Sequence, residues 1–235
     1  MIPVVILAGG LATRLYPVTT TIPKALIPIH GRPFIDHQLA LLREKGITKV
    51  FLCIGNLGND IEKFVRDGSQ WGIDVQYSYD GDRLLGTGGA IKKATGILPD
   101  TFMILYGDSY LDVDFKEVQQ RFFSDNLPVL MTVYHNRNIS DPSNILMKDG
   151  RIIRYSKNDH DPAMEYIDYG LIVIQKKIFD PCPSSEPFDL SLILSQSVDA
   201  GMVSSYETGQ RFYEIGSVKG IKETEDYIRN RSLSS

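Results

Sequence analysis

Cysteine, histidine and tryptophan are scarce in this chain, which has two, four and one of them among 235 residues. Cys53 lies in an apolar stretch and Cys182 between two prolines. They form no metal-ligand pattern, and a disulfide between them is open but has no support in the sequence, so a reducing cytoplasm is the expected compartment. His30, His37, His135 and His160 stand at no metal-ligand interval and read as surface or capping residues. No Ser-His-Asp arrangement or C-x-x-C pair competes for a catalytic role. No apolar run approaches the roughly twenty residues needed to span a bilayer. The short apolar stretch at the N-terminus has no basic lead region, and we read it as a buried strand instead of a signal peptide. Positive charge is not in excess either: 25 Lys and Arg face 29 Asp and Glu, for a net charge of −4. That balance argues against a broad nucleic-acid face but leaves room for a local anion site. The dinucleotide fingerprint G-x-G-x-x-G is also missing, which sets aside a nicotinamide oxidoreductase.

What is there is ordinary in bulk and specific in detail. Hydrophobic residues make up 43% and charged residues 23% of the chain, as in globular proteins. Strand-like and helix-like segments alternate through the first half, which predicts a parallel sheet with helical crossovers. The pattern places strands at 4–7, 49–54, 73–79, 102–106 and 129–134, helices at about 34–45, 61–66 and 115–122, and a glycine-rich loop from Asp80 to Gly89 that opens a helix through Ala94. The second half changes character. Asp149-Gly150 between two apolar runs is a hairpin signal, 166–174 reads as a long strand, and a helix is expected at about 190–198. Two short strands follow at 203–206 and 212–215. Ser217 then caps a final helix running towards Asn230, with Ser232 to Ser235 as a frayed tail. We expect a single domain over 1–235, with a nucleotide-binding half to about 135 and an acceptor half after it.

The chemistry-bearing segment is Leu7-Ala8-Gly9-Gly10-Leu11-Ala12-Thr13-Arg14-Leu15-Tyr16-Pro17, followed by Ile22-Pro23-Lys24. A strand running into two glycines lets backbone N–H groups approach an anion, and Arg14 and Lys24 add positive charge. Such a cradle belongs at the carboxyl end of the first strand of an α/β sheet. Asp108, just past the apolar strand 102–106 and beside Gly107, falls at the same mouth, where a carboxylate can hold a hard cation. Its plainer reading is a turn or helix-capping aspartate.

The first segment resembles the signature L-A-G-G-x-G-T-R-L-x-P-x-T…P-K of sugar-1-phosphate nucleotidylyltransferases, with Ala12 where the pattern has its third glycine. The resemblance implies a Rossmann-like α/β nucleotidyltransferase fold, a mixed and mostly parallel sheet flanked by helices, with a small β-rich portion for the acceptor. It further implies that residues 7–14, Gly86, Thr87, Gly88 and Gly107 contact the nucleotide. Leu84-Leu85-Gly86-Thr87-Gly88-Gly89-Ala90 resembles the family's L-G-T-x-G-A loop against the nucleoside. Arg14, Lys24 and Asp108 become the candidate catalytic residues. Phe212-Tyr213-Glu214-Ile215-Gly216-Ser217 resembles W-x-D-x-G-T and makes Glu214 the second ligand, with Asp108, of a Mg²⁺ ion. Lys157 matches the lysine of an E-K pair that contacts the sugar phosphate, with Ser156 in the place of the glutamate. Asp168 and Gly170 occupy the N-x-G segment that approaches the sugar.

The implied reaction joins a nucleoside triphosphate, with GTP favoured, to a sugar 1-phosphate of heptose or mannose type, releasing pyrophosphate. No nucleic-acid or membrane partner is expected, and a homo-oligomer is left open. Two alternatives remain at this point: a non-catalytic nucleotide-sugar-binding regulatory subunit, and a cytidylyltransferase acting on a non-sugar phosphate such as phosphocholine.

Overall fold

The computed structural model describes residues 1–235 except Ala12, Ser140, His160, Ser185, Ser234 and Ser235. Strand β1 (Val4–Leu7) leads, through the glycine segment, to short 3-10 turns at Thr13–Leu15, Val18–Thr20 and Lys24–Leu26. A two-residue hairpin, β2 (Pro28–Ile29) and β3 (Arg32–Pro33), then opens helix α1 (Phe34–Glu44). Next come β4 (Lys49–Ile54), α2 (Gly58–Val65), β5 (Asp74–Tyr79), α3 (Gly86–Ala94) and β6 (Thr101–Tyr106). After them are β7 (Ser109–Tyr110), α4 (Phe115–Asp125), β8 (Val129–His135), β9 (Ile145–Lys148), β10 (Arg151–Tyr155) and β11 (Tyr166–Gln175). Helix α5 (Leu190–Asp199), β12 (Val203–Thr208), β13 (Tyr213–Glu214) and α6 (Val218–Leu233) complete the chain.

The main sheet is mixed. β5, β4, β1 and β6 run parallel, β11 pairs antiparallel with β6 and β8, and β12 closes the far side parallel to β8. The four parallel strands are joined by helical crossovers. The three inner ones are nearly continuous apolar runs because helices cover both faces. One buried cluster extends from Ile2 through Phe51, Phe102 and Ile172 to Leu194 and Val203, so both halves of the chain share it. A smaller cluster of Leu15, Ile27, Ile29, Phe34, Leu41, Tyr110, Ile215 and Ile228 lies under the first loop.

Register is what makes the site. Leu7 pairs with both Cys53 and Tyr106, so β1, β4 and β6 end level with one another. Each is followed by glycine: Gly9, Gly55 and Gly107. The β9–β10 hairpin turns through Asp149 and Gly150, both at positive φ (50° and 74°), the signature of a type I′ turn. Long strand β11 carries a register shift between Asp168 and Ile172, where Gly170 sits at φ 95°.

Several boundaries differ from the sequence-based expectations. Helix α3 begins at Gly86, so the glycines expected in a loop form its first turn. Helix α6 runs on to Leu233 instead of stopping near Asn230, with Ser217 Oγ accepting the Gly220 N–H at 3.0 Å as its cap. His37 is buried, not a surface residue, and its Nε2 lies 2.8 Å from the Ile29 carbonyl. The β2–β3 hairpin and the β7–β13 ribbon were not foreseen as paired strands.

Candidate active site

A cavity of about 240 Å³ opens at the level ends of the parallel strands. Leu7, Ala8, Gly9 and Gly10 line it together with Cys53, Asp80, Leu84, Gly86, Thr87 and Ala90. Lys24, Ala25, Tyr106, Gly107 and Asp108 form its outer rim. The close approach of these strand ends needs glycine: a methyl group on Gly107 would lie 2.6 Å from the Leu7 carbonyl oxygen. Gly10 has open space around it, and neither its N–H nor that of Leu11 is bonded to a described residue. Both residues are exposed, which leaves the two donors available to an anion. Ala12, expected to belong to the same cradle, lies outside the described residues.

At the rim, charge gathers. Lys24 Nζ donates to Asp108 Oδ2 at 2.9 Å, with both side chains about three-quarters or more buried. The two-stranded ribbon of β7 and β13 pairs Glu214 with Ser109, and the Ile215 N–H donates to the Asp108 carbonyl at 2.9 Å. That pairing sets the second carboxylate beside the first. Glu214 in turn accepts from the Gly216 N–H at 2.7 Å and from Ser217 Oγ at 3.3 Å. Burial, and then the neighbouring Asp108 charge, push the Glu214 carboxyl above its ordinary range, while Arg14 and Lys24 pull the other way. The Arg14 guanidinium closes the group, its Nη2 3.3 Å from where a methyl on Gly216 would sit. Arg14, Lys24, Asp108 and Glu214 therefore occupy one neighbourhood, although Arg14 and Glu214 stand beside the cavity and do not line it.

The first turn of α3 differs in use from its expected role. The Gly88 and Gly89 N–H groups donate to the Phe188 carbonyl at 3.0 and 3.3 Å, and Thr87 Oγ1 accepts from the Leu190 N–H at 2.8 Å. The donors that a helix N-terminus would offer an anion are thus taken by the segment before α5. A methyl on Gly88 would strike the Phe188 ring, and one on Gly86, at φ 70°, would lie 2.6 Å from the Phe188 carbonyl oxygen. Gly86 and Thr87 reach the cavity; Gly88 serves the packing of α3 against Phe188.

The expected acceptor residues form a second group. Asp168 is half-buried, and the loss of hydration raises its carboxyl pKa against the pull of the Gly170 N–H and of Lys157. Its Oδ1 accepts that N–H at 2.9 Å. Lys157 donates to Asp189 at 2.9 Å and lies over the Tyr106 ring, 5.7 Å from its centre. Burial works against the charged form of Asp189, but bonds from Ser191 and Lys157 bring its pKa down to about 2. Tyr106 belongs to the cavity rim and faces this group as well, so it separates the two regions.

Two residues of the site carried no usable sequence signal. Gln38, buried on α1, donates through Nε2 to the Tyr106 carbonyl at 3.1 Å and the Ser109 carbonyl at 2.8 Å. It thereby clamps the bend that carries Gly107 and Asp108. Asp80 lines the cavity and was read only as the start of a glycine-rich loop; an isolated aspartate before a glycine announces nothing but a turn.

The sequence model described as nucleotidyl transferase matches residues 3–228. The chain belongs to the nucleotidyl transferase family. Among its relatives in that family is the UTP–glucose-1-phosphate uridylyltransferase of Synechocystis sp., 29% identical over 217 residues, with 84% of this chain and 55% of that protein covered. Another is the D-glycero-alpha-D-manno-heptose 1-phosphate guanylyltransferase of Aneurinibacillus thermoaerophilus, 30% identical over 186 residues, covering 78% and 79%. The chain thus spans little more than half the length of the first. The crystal structure of HddC from Yersinia pseudotuberculosis superposes with a TM-score of 0.84 at 24% identity, covering 97% of this chain and all of that one, and shares the nucleotidyl transferase fold. The family read from the N-terminal signature stands. Among the described residues, no helix is long and apolar enough to cross a membrane.

Proposed function

We propose that this nucleotidyl transferase joins a nucleoside triphosphate to a sugar 1-phosphate, releasing pyrophosphate, with GTP and a heptose- or mannose-type sugar as its preferred pair. The observation that carries this reading is the convergence of Arg14, Lys24, Asp108 and Glu214 at the mouth of a glycine-walled cavity. The first half of the chain supplies the nucleotide site, and Lys157, Asp168 and Gly170 on the second half supply the acceptor site. The relatives named for transfer to glucose and heptose 1-phosphates support the class.

The chemistry suits these side chains. A sugar phosphate is already ionised, so its oxygen needs no general base before attacking the α-phosphorus. The barrier is electrostatic, since two anions must be aligned while charge builds on departing pyrophosphate. On this reading the N–H groups of Gly10 and Leu11 and the Arg14 guanidinium receive the β- and γ-phosphate oxygens. Lys24 leaves Asp108 to stabilise the charge at the α-phosphate, where the new bond forms. Tyr106 keeps the two substrates on opposite sides of that phosphate.

Asp108 and Glu214 fit a divalent cation such as Mg²⁺, because both offer hard oxygen donors and neighbouring strands hold them together. Among the described residues no cluster of three or more His, Cys, Asp or Glu side chains forms. An ion held by these two would share its remaining positions with phosphate oxygens and water, and when bound it neutralises triphosphate charge. The test is pyrophosphate release from GTP, UTP, CTP, dTTP and ATP against mannose, heptose and glucose 1-phosphates and phosphocholine. Release that requires a sugar 1-phosphate is expected. Nucleotide binding without release from any pair would favour the regulatory reading, and release with phosphocholine alone would favour the cytidylyltransferase.

A further inference from the structure

Lys157 is carried on a bend after β10, and its neighbours in the chain do nothing to hold its ammonium. Ser156 turns back on its own backbone, where Oγ accepts the Asn158 and Asp159 N–H groups at 3.3 and 3.1 Å. Among the described residues, the group that grips Lys157 Nζ is Asp189, at 2.9 Å. Asp189 itself stands on a fixed support. It is the N-cap of α5, and its Oδ1 also accepts the Ser191 N–H at 2.8 Å. The residues on either side of it are bonded to the start of α3. The Phe188 N–H donates to the Leu85 carbonyl at 3.0 Å, and the Leu190 N–H donates to Thr87 Oγ1 at 2.8 Å. Gly86 and Thr87 of that turn line the cavity. The place of the Lys157 charge is therefore set from the cavity side and not by the bend that carries it. Asp168 is the other carboxylate within influence of this lysine, yet among the described residues no ion pair joins the two. A lysine stem is long and flexible, so an ammonium freed from one carboxylate turns to the next.

We propose that Asp189 is the positioning residue of the acceptor site. It holds the Lys157 ammonium beside Tyr106 and apart from Asp168, which keeps the lysine for the acceptor's phosphate and the Asp168 carboxylate for its hydroxyls. This rests on the reading that Lys157 and Asp168 take those two parts of a sugar 1-phosphate. One bond to Asp189 leaves the other N–H donors of the ammonium to the incoming phosphate. Asp189 is ionised throughout the working pH range, so the hold does not relax with pH. Without it the ammonium falls onto Asp168, and each satisfies the other instead of the substrate. An acceptor must then break that pair before it binds, and it meets a lysine whose stem has regained its rotamer freedom. The loss falls on acceptor binding and not on the chemical step, because Lys157 grips a phosphate that is already charged before the reaction begins.

Asp189→Ser tests this with the helix cap kept, since serine caps as well as aspartate but its hydroxyl is too short to reach Lys157. The two side chains are 35% and 52% exposed, so losing their pair is expected to leave the unfolding midpoint near the native value. Steady-state pyrophosphate release is followed for the full chain while the sugar 1-phosphate that reacts fastest is varied. Asp189→Ser is expected to raise the acceptor KM at least tenfold, with kcat within threefold of native and the nucleotide KM unchanged. Made in a Lys157→Ala background, the same substitution is expected to move the acceptor KM less than twofold, because it acts through the lysine alone. A rise below threefold in the single variant would overturn the proposal. An equal rise in both backgrounds would overturn it too, since Asp189 would then act on the fold or on α3. If Asp189→Ser does not fold, Asp189→Asn, which keeps the cap and the size but not the charge, is judged by the same outcomes. The two readings fail separately. Native release with an unmoved acceptor KM in the variant removes the role of Asp189 and leaves the transferase. No release from the native protein with any pair removes the transferase, and the role of Asp189 with it.

Discussion

Lys24 and Asp108 neutralise each other at 2.9 Å while no phosphate is present, and this sets what their loss would do. The pair is partly screened by solvent, so breaking it is expected to shift stability by no more than about 1 kcal/mol. Its larger effect falls on the reaction. On the proposed mechanism Lys24→Ala removes a preorganised charge from the α-phosphate, and kcat is expected to fall on the order of 10² to 10³-fold. Asp108→Asn is expected to fall comparably and to leave the thermal midpoint near the native value. Turnover within threefold of native in both variants, measured as pyrophosphate release, would take them out of the mechanism. At this scale the sequence was most legible where a residue's role depends on its immediate neighbours. Gly9, Gly10, Arg14 and Lys24 declare themselves by spacing along one loop. Glu214 could be singled out only by resemblance, because its nearness to Asp108 comes from a strand pairing across most of the chain. Gln38 gave no sign at all, since a glutamine on the buried face of an amphipathic helix looks like an ordinary interruption.

Elements rather than residues decide whether Asp108 points the right way. The bend after β6 is held by the Gln38 amide, whose two partners are both carbonyl oxygens, and this fixes the amide's orientation. Gln38→Leu leaves those carbonyls without this donor. Destabilisation of about 1–3 kcal/mol is expected in urea unfolding. The kinetic split is more telling: kcat is expected to drop at least tenfold while nucleotide affinity changes little, because Gln38 does not itself line the cavity. Equal losses in both would mean that Gln38 acts on the fold alone. Strands β4, β6 and β8 and helices α1, α4 and α5 were legible because their apolar residues repeat with the right period. The short hairpin of β2 and β3 and the β7–β13 ribbon escaped because two-residue strands have no period to show. The first turn of α3 was misjudged for a related reason. Glycines that look like a flexible loop are there because Phe188, far along the chain, presses on them.

Across the whole molecule, the last helix is tied back by a polar knot at Asp112. Lys45 Nζ lies 2.5 Å from Asp112 Oδ1, and Arg231 Nε and Tyr227 Oη donate to Oδ2 at 2.8 and 2.9 Å. Arg231 also reaches Glu44 at 2.5 Å, so α6, α1 and the start of α4's approach are joined at one point. Burial alone would raise the Asp112 pKa, but these three partners hold it below its ordinary value. The sign follows directly. A carboxyl depressed in the folded state contributes stability above its unfolded pKa, near 3.8, and loses that contribution as pH falls through the lower folded value. Asp112→Asn is expected to cost about 1–3 kcal/mol at neutral pH, and the gap from native should close in unfolding curves taken below pH 4. A gap that stays constant with pH would show that the knot's charge is irrelevant. Helix α6 packs directly after β13, and β13 carries Glu214. A polypeptide still emerging during synthesis would carry Asp108 long before Glu214, and Phe188, against which the first turn of α3 packs, lies between them in the chain. The pair of acids is therefore complete only when the last strand and helix dock, and on the proposed mechanism competence for bond-making is the last property this fold acquires.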